Sequence, residues 1–472
     1  MFFVWKSCFT ITVLHYPTLK EFRKELGKGY DYVGFSFSVP TLHKIVPMIK
    51  IVRRFSPEAK IILGGYGTVL PDDKLKDLAD HVCREEGIGF MRRLLGEPER
   101  LFRSPVCVYD SYIFSLKAAH HGVIFGALGC PYGCDFCIPS NFFKKEKIYF
   151  YTDPKKLLED ILKQRSRDPS IGTILILDDD FLFDEPRARR FLEAARGSGK
   201  FLDIMIFASM QSLSRFTFRE IAQMGVSKIW IGFEGKQAGY EKLKGGSFRQ
   251  TAEQLRSYGI DVIASMIIGY DYQDEQTILD EIEDLILAKP YLTQIAILTP
   301  CIGTPLWEKF EKESRIRSLI RDDYRFYYLW SLFEHPKISV QKMEYLQRRL
   351  YHREYEALGP SLFRMFYTMW RGYERLKDDP DPVLHRRALD LKARLRIILP
   401  LYLVGTLFIS NRKIKEQLKQ EYAGICKGIG RPHFLLRVCV YAIIPFILWT
   451  KLRFHFKRER QPFVKRREYN TK

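Results

Sequence analysis

The chain has 472 residues, of which 46% are hydrophobic and 28% are charged. This length exceeds that of one ordinary domain, so two or three domains are expected, and the apolar fraction excludes a globally disordered chain. Lys and Arg number 76 against 56 Asp and Glu, which gives a formal net charge of +20. Such a surplus favours an anionic partner, either nucleic acid or a membrane surface.

The nine cysteines divide into six that are scattered singly and three that cluster between positions 130 and 137. An odd count with one tight cluster indicates a metal site in a reducing cytosol, not a disulfide framework. Residues 1–12 contain apolar stretches but no basic segment and no small-residue cleavage site, so no signal peptide is predicted. We therefore expect a cytoplasmic protein.

In chain order, the first hundred residues have the alternation of an α/β unit. Segments 32–38 and 60–63 are predicted to be short apolar strands, and 42–55 has helical periodicity. The second strand runs into Gly64 and Gly65, which suits a sharp turn where the backbone approaches a ligand; a tight turn without a ligand explains them equally well. The segment 101–116 is predicted to be a linker.

From 122 to 300 the chain repeats a strand, a loop and a helix. Each predicted strand is a nearly continuous apolar run, as expected when helices cover both faces of a sheet. The pattern predicts an α/β fold with a parallel sheet, open or closed into a partial barrel, because six repeats fall short of a complete barrel. The predicted strands are 123–127, 173–177, 203–208, 228–233, 261–268 and 294–299, with helices between them such as 155–165, 186–196 and 275–287.

After about residue 316 the sequence predicts a helical region that is rich in aromatic and basic residues. It contains two apolar stretches, 397–409 and 434–449, and both are shorter than the roughly 20 residues that a membrane span needs. Basic residues flank both stretches, as in proteins that lie on anionic lipid. Two buried core helices followed by a solvated basic tail are the alternative.

The clustered cysteines Cys130, Cys134 and Cys137 have the spacing Cys-x₃-Cys-x₂-Cys directly after the first predicted strand of the repeat. Three thiolates this close can converge only if the chain loops around a central object, and Gly133 permits the positive φ that such a loop needs. Thiolate ligands select zinc or iron–sulfur clusters. The motif is therefore predicted to bind metal.

Zinc is the main alternative to an iron–sulfur cluster at this motif. A structural zinc site normally closes four ligands in two separated pairs, and the sequence offers no second pair. His120 or His121 could supply a fourth ligand only by folding back across the first strand. Three cysteines without a fourth favour a 4Fe–4S cluster with one iron left open to a small molecule.

With Phe136 just before the third cysteine, the motif resembles the signature of the radical S-adenosylmethionine superfamily. In that family, S-adenosylmethionine binds the open iron, and an electron from the cluster cleaves it to a 5′-deoxyadenosyl radical. The resemblance implies that 122–306 is a core domain, a six-stranded partial (β/α)₆ barrel. It also implies 4Fe–4S and S-adenosylmethionine as cofactors and an electron donor such as flavodoxin or ferredoxin.

Active sites in parallel α/β folds lie at the carboxyl ends of the strands. Three consecutive aspartates at one such end are costly unless a cation or hydrogen-bond donors are close, although a solvated acidic loop capping the next helix is the alternative. The resemblance implies that one of these carboxylates receives the amine of S-adenosylmethionine. The candidate cofactor-binding residues at the strand ends are Asp178, Asp179, Asp180, Gln211, Glu234, Gly269 and Thr299.

Two further likenesses accompany these candidates. Glu234 lies in a segment that resembles the family's Gly-x-Glu-Ser, with Gly235 in place of serine, and is expected beside the ribose or the methionine part. Gly269 and Glu275 resemble a region whose backbone meets adenine, but the glutamate lies further from the glycine than usual. A lone cysteine such as Cys301 is usually a packing residue.

The segment 299–306 resembles the Pro-x-Pro-Gly-Thr-x-Leu closing segment of the subgroup that carries an amino-terminal cobalamin-binding domain. Segments 31–36 and 62–68 resemble later strands of that domain, and 84–87 resembles its Gly-Glu-Gly-Glu turn. The chain lacks the Asp-x-His-x-x-Gly motif and is predicted to begin after the domain's opening strand and helix. We expect a truncated or degenerate cobalamin-binding-like domain, and cobalamin binding stays open.

The predicted organisation is therefore a cobalamin-binding-like domain over 1–100, a radical core domain over 117–316 and a helical region over 317–472. We expect an enzyme that modifies an unactivated carbon of a hydrophobic, lipid-like substrate by C-methylation or by carbon–carbon bond formation or rearrangement, at the periphery of the cytoplasmic membrane. RNA modification is the alternative within enzymes, although nothing resembles an extra RNA-binding module. A non-catalytic iron–sulfur or zinc protein is the alternative of another class.

Overall fold

The computed structural model describes residues 10–15, 17–98, 107–113, 116–317, 331–455 and 466–470. The bases Lys457, Arg458, Arg460 and Lys465, which the sequence predicts to face a membrane, lie outside these residues. The strands, in chain order, are β1 Thr10–Leu14, β2 Tyr32–Ser36, β3 Lys60–Gly64, β4 His81–Val82, β5 Cys107–Ile113, β6 Leu116–Phe125, β7 Ala127–Leu128, β8 Ile148–Tyr149, β9 Ile174–Leu177, β10 Ile204–Ala208, β11 Val226–Glu234, β12 Asp261–Ile268, β13 Leu292–Ile297 and β14 Arg466–Asn470.

The α-helices are distributed through the whole described chain, with short 3₁₀ turns between some of them. In chain order they are α1 Leu19–Leu26, α2 Leu42–Phe55, α3 Asp72–Leu75, α4 Gly87–Leu94, α5 Ile138–Phe142, α6 Pro154–Arg167, α7 Glu185–Ser198, α8 Met210–Leu213, α9 Phe218–Gln223, α10 Phe248–Ser257, α11 Glu275–Ala288, α12 Pro305–Lys312, α13 Val340–Leu358, α14 Ser361–Leu376, α15 Pro382–Ile398, α16 Leu401–Gly405, α17 Arg412–Ile429, α18 Phe434–Cys439 and α19 Ile444–His455.

Strands β2, β3 and β4 form a parallel sheet in that order, called the small sheet below. The side chains of Ile61 and Leu63 on β3 are fully buried, and α2 places Val52 in the same core. A strand with both faces covered needs such a continuous apolar run. The predicted strands and the helix at 42–55 are confirmed here.

A strand and a helix precede the small sheet. Helix α1 begins at a capping box in which Thr18 and Glu21 satisfy each other's backbone groups, and it packs against α2. Strand β1 does not join the small sheet but pairs antiparallel with β14, with Thr10 opposite Asn470. A strand and a helix thus precede the small sheet, but β1 is not one of its three described strands, so the sheet does not contain the opening strand that the sequence predicts to be missing.

The large sheet has the strand order β13-β12-β11-β10-β9-β6-β5. Its first six members run parallel and alternate with helices, which confirms the predicted α/β class. Strand β5 adds an antiparallel edge to β6, so the sheet is mixed and has seven strands. The prediction of a linker over 101–116 is wrong for 107–113, whereas 101–106 lies outside the described residues. An edge strand that mixes polar and apolar residues carries a weak sequence signal.

The helices after α12 confirm the predicted helical carboxyl-terminal region. Helix α14 packs against α10 and α15, and the closest approach is between backbones. A Cβ atom on Gly372 would come within 2.4 Å of the Cα atom of Gly259, so only glycine fits there. Within the described residues, no helix combines the length and the apolar character needed to cross a bilayer.

Buried charges join the amino edge of the large sheet to α15. Asp203 at the start of β10 accepts from Arg394 at 2.5 Å, and Arg394 also pairs with Asp390 at 2.7 Å. Next to them, Lys228 lies 3.3 Å from Asp261. Burial acts to raise the pKa of Asp203, but Arg394 and Lys228 outweigh it and hold that pKa below its usual range.

Candidate active site

The clustered cysteines lie on the loop between β7 and α5, at the carboxyl edge of the large sheet. The Ser140 hydroxyl donates to the carbonyl oxygen of Cys130 at 2.6 Å. The Asn141 amide donates to the carbonyl oxygens of Cys134 at 3.0 Å and of Cys137 at 2.7 Å. Helix α5 therefore fixes the backbone of all three cysteines with two side chains.

Two glycines make this loop possible. Gly129 and Gly133 have φ values of 81° and 69°, in the left-handed region that favours glycine. A Cβ atom on Gly129 would lie 2.1 Å from the carbonyl oxygen of Glu146. The loop folds back on the segment after α5, as the sequence predicts for a chain that curls around a central object.

The three thiols lie near one another in a partly dry environment. Burial raises the pKa of Cys130 to about 12 and of Cys134 to about 11, and it raises the pKa of Cys137 as well. Charge on Cys137 raises the pKa of the other two further, while Lys242 acts in the opposite direction on Cys134 and Cys137. Thiols in such a place ionise only when a bound cation compensates their charge.

Among the described residues, no group of three or more His, Cys, Asp and Glu side chains is arranged to hold a single metal ion. A 4Fe–4S cluster makes a different demand, because its cysteine ligands bind separate irons. Three thiols that influence one another electrostatically on one glycine-containing loop meet that demand in chemistry. The donor set therefore fits three corners of such a cluster.

Asp178 is committed to buried ion pairs. Its carboxylate lies 2.5 Å from the Lys147 ammonium and 2.9 Å from the Arg187 guanidinium. All three side chains are almost completely buried, with exposed fractions of 4% or less. A buried carboxylate between two buried cations is needed to keep both of them charged inside the protein. The geometry gives Asp178 a structural role.

Asp180 is buried too and is held by hydrogen bonds. Its carboxylate accepts from the Ser212 hydroxyl at 2.8 Å, from the Ser209 backbone at 3.2 Å and from the Leu182 backbone at 3.1 Å. These bonds join the loop after β9 to the loop after β10. The Ser209 hydroxyl in turn lies 2.8 Å from the phenol of Tyr132, so the network reaches the cysteine loop.

Asp179 differs from its two neighbours because it is exposed. The surrounding protein nevertheless raises its pKa to about 6, chiefly through desolvation and then through the charge of Asp178. Its own charge raises the pKa of Cys130, Cys137 and Tyr66, which places it on the same side as the thiols. Exposure distinguishes Asp179 from Asp178 and Asp180, which are both buried. Asp179 is the member of the trio that a ligand can reach.

Glu234 ends β11 in a strained backbone conformation with φ at 56°, where the pairing with β12 is irregular. One carboxylate oxygen accepts from the Lys242 ammonium at 2.5 Å. The other oxygen is buried and has no hydrogen-bond partner among the described residues. Burial acts to lower the pKa of Lys242, but Glu234 and Cys134 outweigh it and raise that pKa. Strain and an unpartnered acceptor together mark a position kept for a ligand.

Gly269 is held by a buried amide–carboxylate pair. The Gln273 side-chain oxygen accepts from the Gly269 backbone at 2.6 Å, and its amide nitrogen donates to Glu281 at 2.6 Å. Glu281 also accepts from the Lys236 backbone at 2.8 Å, just after Glu234. Glu281 therefore joins two strand-end loops, whereas Glu275 forms surface ion pairs with α13.

The remaining candidates make local contacts. The Gln211 amide donates to Glu241 at 2.8 Å, and the Thr299 hydroxyl donates to a carbonyl two residues earlier at 3.0 Å. The closing segment reaches the cysteine loop through the Leu306 backbone, which donates to the Asp135 carbonyl at 3.1 Å. No described side-chain hydrogen bond joins Gln211 or Thr299 to that loop.

The carboxyl edge of the small sheet adjoins the cysteine loop. Tyr66, in the turn after β3, meets the ring of Phe142 edge to face with centroids 5.3 Å apart. Burial raises the pKa of Tyr66, and the charges of Asp179 and Cys137 raise it further. On the other side, a Cβ atom on Gly303 would come within 3.0 Å of Val69. The small sheet and the thiols thus share one region.

Sequence reasoning did not single out several residues of this region. Lys147 and Lys242 supply cations, and the Tyr240 hydroxyl donates to the Asp135 carboxylate at 2.6 Å. The Tyr270 hydroxyl is buried and has no hydrogen-bond partner among the described residues. Residues on loops follow no period, so only their closeness in sequence to a motif could have drawn attention to them.

Comparison with known proteins gives three relatives by sequence, while no protein-family profile matches the chain. The chain is 26% identical over 233 residues to bacteriochlorophyllide d C-12(1)-methyltransferase of Chlorobaculum tepidum, 47% of this chain and 48% of that protein. It is 25% identical over 236 residues to the hopanoid C-2 methylase of Rhodopseudomonas palustris, 47% of this chain and 43% of that one. It is 22% identical over 320 residues to an uncharacterised methyltransferase of Pyrococcus horikoshii, which covers 59% of this chain and 69% of that protein.

Solved structures show the same fold. The chain matches TsrM of Kitasatospora setae, a radical S-adenosylmethionine methyltransferase solved with cobalamin and a 4Fe–4S cluster, with a TM-score of 0.51 and 13% identity. The match covers 62% of this chain and 69% of that one. The same enzyme solved with tryptophan and an S-adenosylmethionine analogue gives a TM-score of 0.50 at 12% identity.

The sequence relatives are named as methyltransferases, and the solved protein that shares the fold is a radical S-adenosylmethionine methyltransferase. These similarities confirm the resemblance predicted from the sequence, to radical S-adenosylmethionine enzymes of the cobalamin-binding subgroup. The chain spans about half the length of the first two relatives it matches.

Proposed function

We propose that the protein is a C-methyltransferase that acts on an unactivated carbon of a hydrophobic substrate. The observation that carries the proposal is one shared edge. It holds three neighbouring thiols, an exposed carboxylate at Asp179 and a carboxylate oxygen of Glu234 that has no hydrogen-bond partner among the described residues. Two relatives are named for methylation of a bacteriochlorophyllide and of a hopanoid, which is a lipid. A lipid-like substrate fits these precedents better than a small polar one.

In this proposal Cys130, Cys134 and Cys137 hold the cluster. When bound, a 4Fe–4S cluster supplies the electron that cleaves S-adenosylmethionine. The chain's own contribution is to position the thiols through α5 and to place the Lys242 ammonium beside Cys134 and Cys137. That cation offsets part of the negative charge that three thiolates bring into a poorly solvated site.

Asp179 and Glu234 are the residues that would bind S-adenosylmethionine. Asp179 is accessible and close to the thiols, so its carboxylate can accept from the ammonium group of the methionine part. The free oxygen of Glu234 can accept from a ribose hydroxyl or from the same ammonium. Gln273 holds the backbone of Gly269 in place, where adenine would stack against the end of β12. Gln211 and Thr299 remain candidates at the rim of this site.

Cobalamin is the proposed methyl carrier. Ligands of parallel sheets bind at the carboxyl ends of strands, and that edge of the small sheet adjoins the thiol loop through Tyr66. The residues at that edge of the small sheet therefore lie where cobalamin would bind. When bound, cobalamin would supply the methyl transfer. The chain carries no Asp-x-His-x-x-Gly motif, so no side chain is assigned as a cobalt ligand.

The domain ranges 1–100, 117–316 and 317–472 stay part of the proposal, with β5 added to the core. In it, the six parallel strands of the large sheet serve as the partial (β/α)₆ barrel of the radical core. RNA modification and a purely structural iron–sulfur or zinc protein are the competing functions. An electron donor such as flavodoxin or ferredoxin is required by the proposed reaction.

Anaerobic purification followed by iron, sulfide and corrinoid analysis tests this proposal. We expect about four irons per chain after reconstitution, retained corrinoid and reductive cleavage of S-adenosylmethionine. A lipid extract incubated with the reduced enzyme and isotopically labelled S-adenosylmethionine should gain labelled methyl groups. Zinc in place of iron would overturn the proposal, and label in RNA but not in lipid would replace it with RNA modification.

A further inference from the structure

The two apolar stretches of the helical region have different surroundings. In the first, 397–409, Leu399, Tyr402 and Val404 are at most 1% exposed and belong to the main core. In the second, Phe434 and Leu435 expose 69% and 61% of their surface, and α18 contains no buried residue. The sequence treats these stretches as a pair, but only the first places side chains in the core, although its Ile397 and Leu407 are exposed.

The exposed second stretch is called the apolar ledge below. It consists of α18, the 3₁₀ turn Val440–Ile443 and α19, and the turn rests against α16. Soluble monomers rarely expose this many neighbouring large apolar side chains unless the surface binds something. The exposed large hydrophobic residues of the ledge are Phe434, Leu435, Leu436, Val438, Tyr441, Leu448, Trp449 and Leu452.

The ledge also lacks the length and continuity of a membrane span. Its two helices contain six and twelve residues, and Arg437 and Pro445 interrupt the apolar run. A segment of this kind can bury one face to the depth of the lipid headgroups while it lies in the membrane plane. The observed exposure is what such a segment needs, since the apolar side chains already face outward.

A basic surface lies on α1 and α2, and the pairing of β14 with β1 links this part of the chain to the segment that follows the ledge. Strand β14 follows the ledge and pairs with β1, which directly precedes α1. Helices α1 and α2 form a shallow groove lined by the exposed apolar residues Leu19 and Phe55, and the Arg23 guanidinium lies 4.1 Å from the Phe55 ring. The cations that line the groove are Lys20, Arg23, Lys24, Lys50 and Arg54. We call this surface the basic groove.

We propose that the apolar ledge docks on an anionic phospholipid bilayer and that the basic groove contacts its headgroups. Charge decides between this occupant and a second copy of the chain, because the cations of the basic groove attract anionic lipid but repel an identical groove. The proposal does not depend on the methyltransferase function, since both surfaces lie outside the thiol site.

Co-sedimentation of the full chain with vesicles tests the proposal. We expect binding to vesicles of phosphatidylcholine mixed with phosphatidylglycerol, weaker binding to phosphatidylcholine alone and partial release by salt. The ledge variant Phe434→Ser, Leu435→Gln, Val438→Ser should lose affinity for both kinds of vesicle by roughly tenfold or more. The matched control Leu287→Gln, Leu389→Gln, Ile397→Gln changes three similarly exposed side chains elsewhere and should bind like the unaltered chain.

A groove variant separates the electrostatic part. Lys20→Gln, Lys24→Gln, Lys50→Gln should lose only the preference for anionic vesicles, with binding to neutral vesicles unchanged. Equal weakening by the ledge and control variants would overturn the proposal, as would a full chain that ignores both vesicles. Self-association without lipid that the ledge variant abolishes would assign the ledge to a second copy instead. Far-ultraviolet circular dichroism of each variant verifies that the comparison is between folded proteins.

Discussion

The two edges of the large sheet both bury charged side chains but arrange them differently. At the amino edge, Asp203 and Asp261 each face a cation, and the pairs join the sheet to the helical region. At the carboxyl edge, Asp178 is paired in the same way, but Asp179 is exposed and Glu234 keeps an unpartnered oxygen. The comparison shows that a buried charge is not by itself a sign of a binding site. An oxygen without a hydrogen-bond partner is not sufficient either, because Asp261 has one too. What distinguishes the carboxyl edge is the exposure of Asp179 and the strained backbone of Glu234, and these two are called the open groups below.

The largest expected effect is the loss of cluster binding at the carboxyl edge. Cys134→Ala should abolish the broad visible absorption of a cluster and the cleavage of S-adenosylmethionine, because one iron loses its protein ligand. The measurement is anaerobic absorption with product analysis. Cys426→Ala, a cysteine in α17 far along the chain, serves as the control and should keep both. A Cys134→Ala protein with full cluster content would remove the thiol loop from the site.

Asp178→Asn should destabilise the fold at the carboxyl edge without changing either of the open groups. It leaves the buried Lys147 and Arg187 without their common counter-charge, so the free energy of unfolding should fall by about 3–5 kcal/mol. Urea denaturation measures this loss. If Asp178→Asn is as stable as the unaltered chain but fails to bind S-adenosylmethionine, Asp178 belongs with the open groups.

Arg394→Met tests the amino edge. Arg394 is 37% exposed on its side chain, so solvent screening reduces the expected loss to about 1–3 kcal/mol. Because the folded pKa of Asp203 lies below its unfolded value, the pair stabilises the protein above the unfolded pKa. That contribution is lost as pH falls through the folded pKa.

The variant should therefore show a smaller loss of stability on acidification than the unaltered chain does. Its affinity for S-adenosylmethionine, measured per folded molecule, should not change. A strong effect on affinity would mean that the two edges are coupled.

Asp179→Asn has the smallest expected effect and is the most selective. It should weaken S-adenosylmethionine binding by roughly tenfold to a hundredfold, the value of a hydrogen bond to a charged group, while cluster content and the unfolding midpoint stay unchanged. Equilibrium dialysis under anaerobic conditions measures the affinity. The sequence predicts that one of Asp178, Asp179 and Asp180 binds the amine without saying which, whereas the geometry predicts a selective loss of affinity at Asp179.

Much of this architecture is predictable because buried strands have continuous apolar sequences that can be recognised without the structure. The strand at 261–268 and the helix at 42–55 have the same bounds in prediction and structure. Strand β5 was missed because its sequence mixes polar and apolar residues, and its pairing with β6 depends on a contact that periodicity does not encode.

The residues of the candidate site also differ in how far the local sequence predicts their roles. Cys130, Cys134 and Cys137 are recognisable because one loop contains all three ligands. The separate roles of Asp178 and Asp180 depend on Lys147 and Ser212, which lie more than thirty residues away from their partners. Glu281 was missed in favour of Glu275 because burial, not spacing, decides which glutamate reaches the backbone of Lys236.

The antiparallel pairing of β1 with β14 has a consequence for synthesis on the ribosome. More than 450 residues separate Leu14 from Arg466, so β1 emerges from the ribosome long before its partner. At about 5–20 residues per second, the interval lasts roughly twenty seconds to a minute and a half. Throughout that time β1 presents an open edge that any other extended segment could pair with. A nascent chain stalled before β14 should therefore depend on chaperones more than the finished protein does.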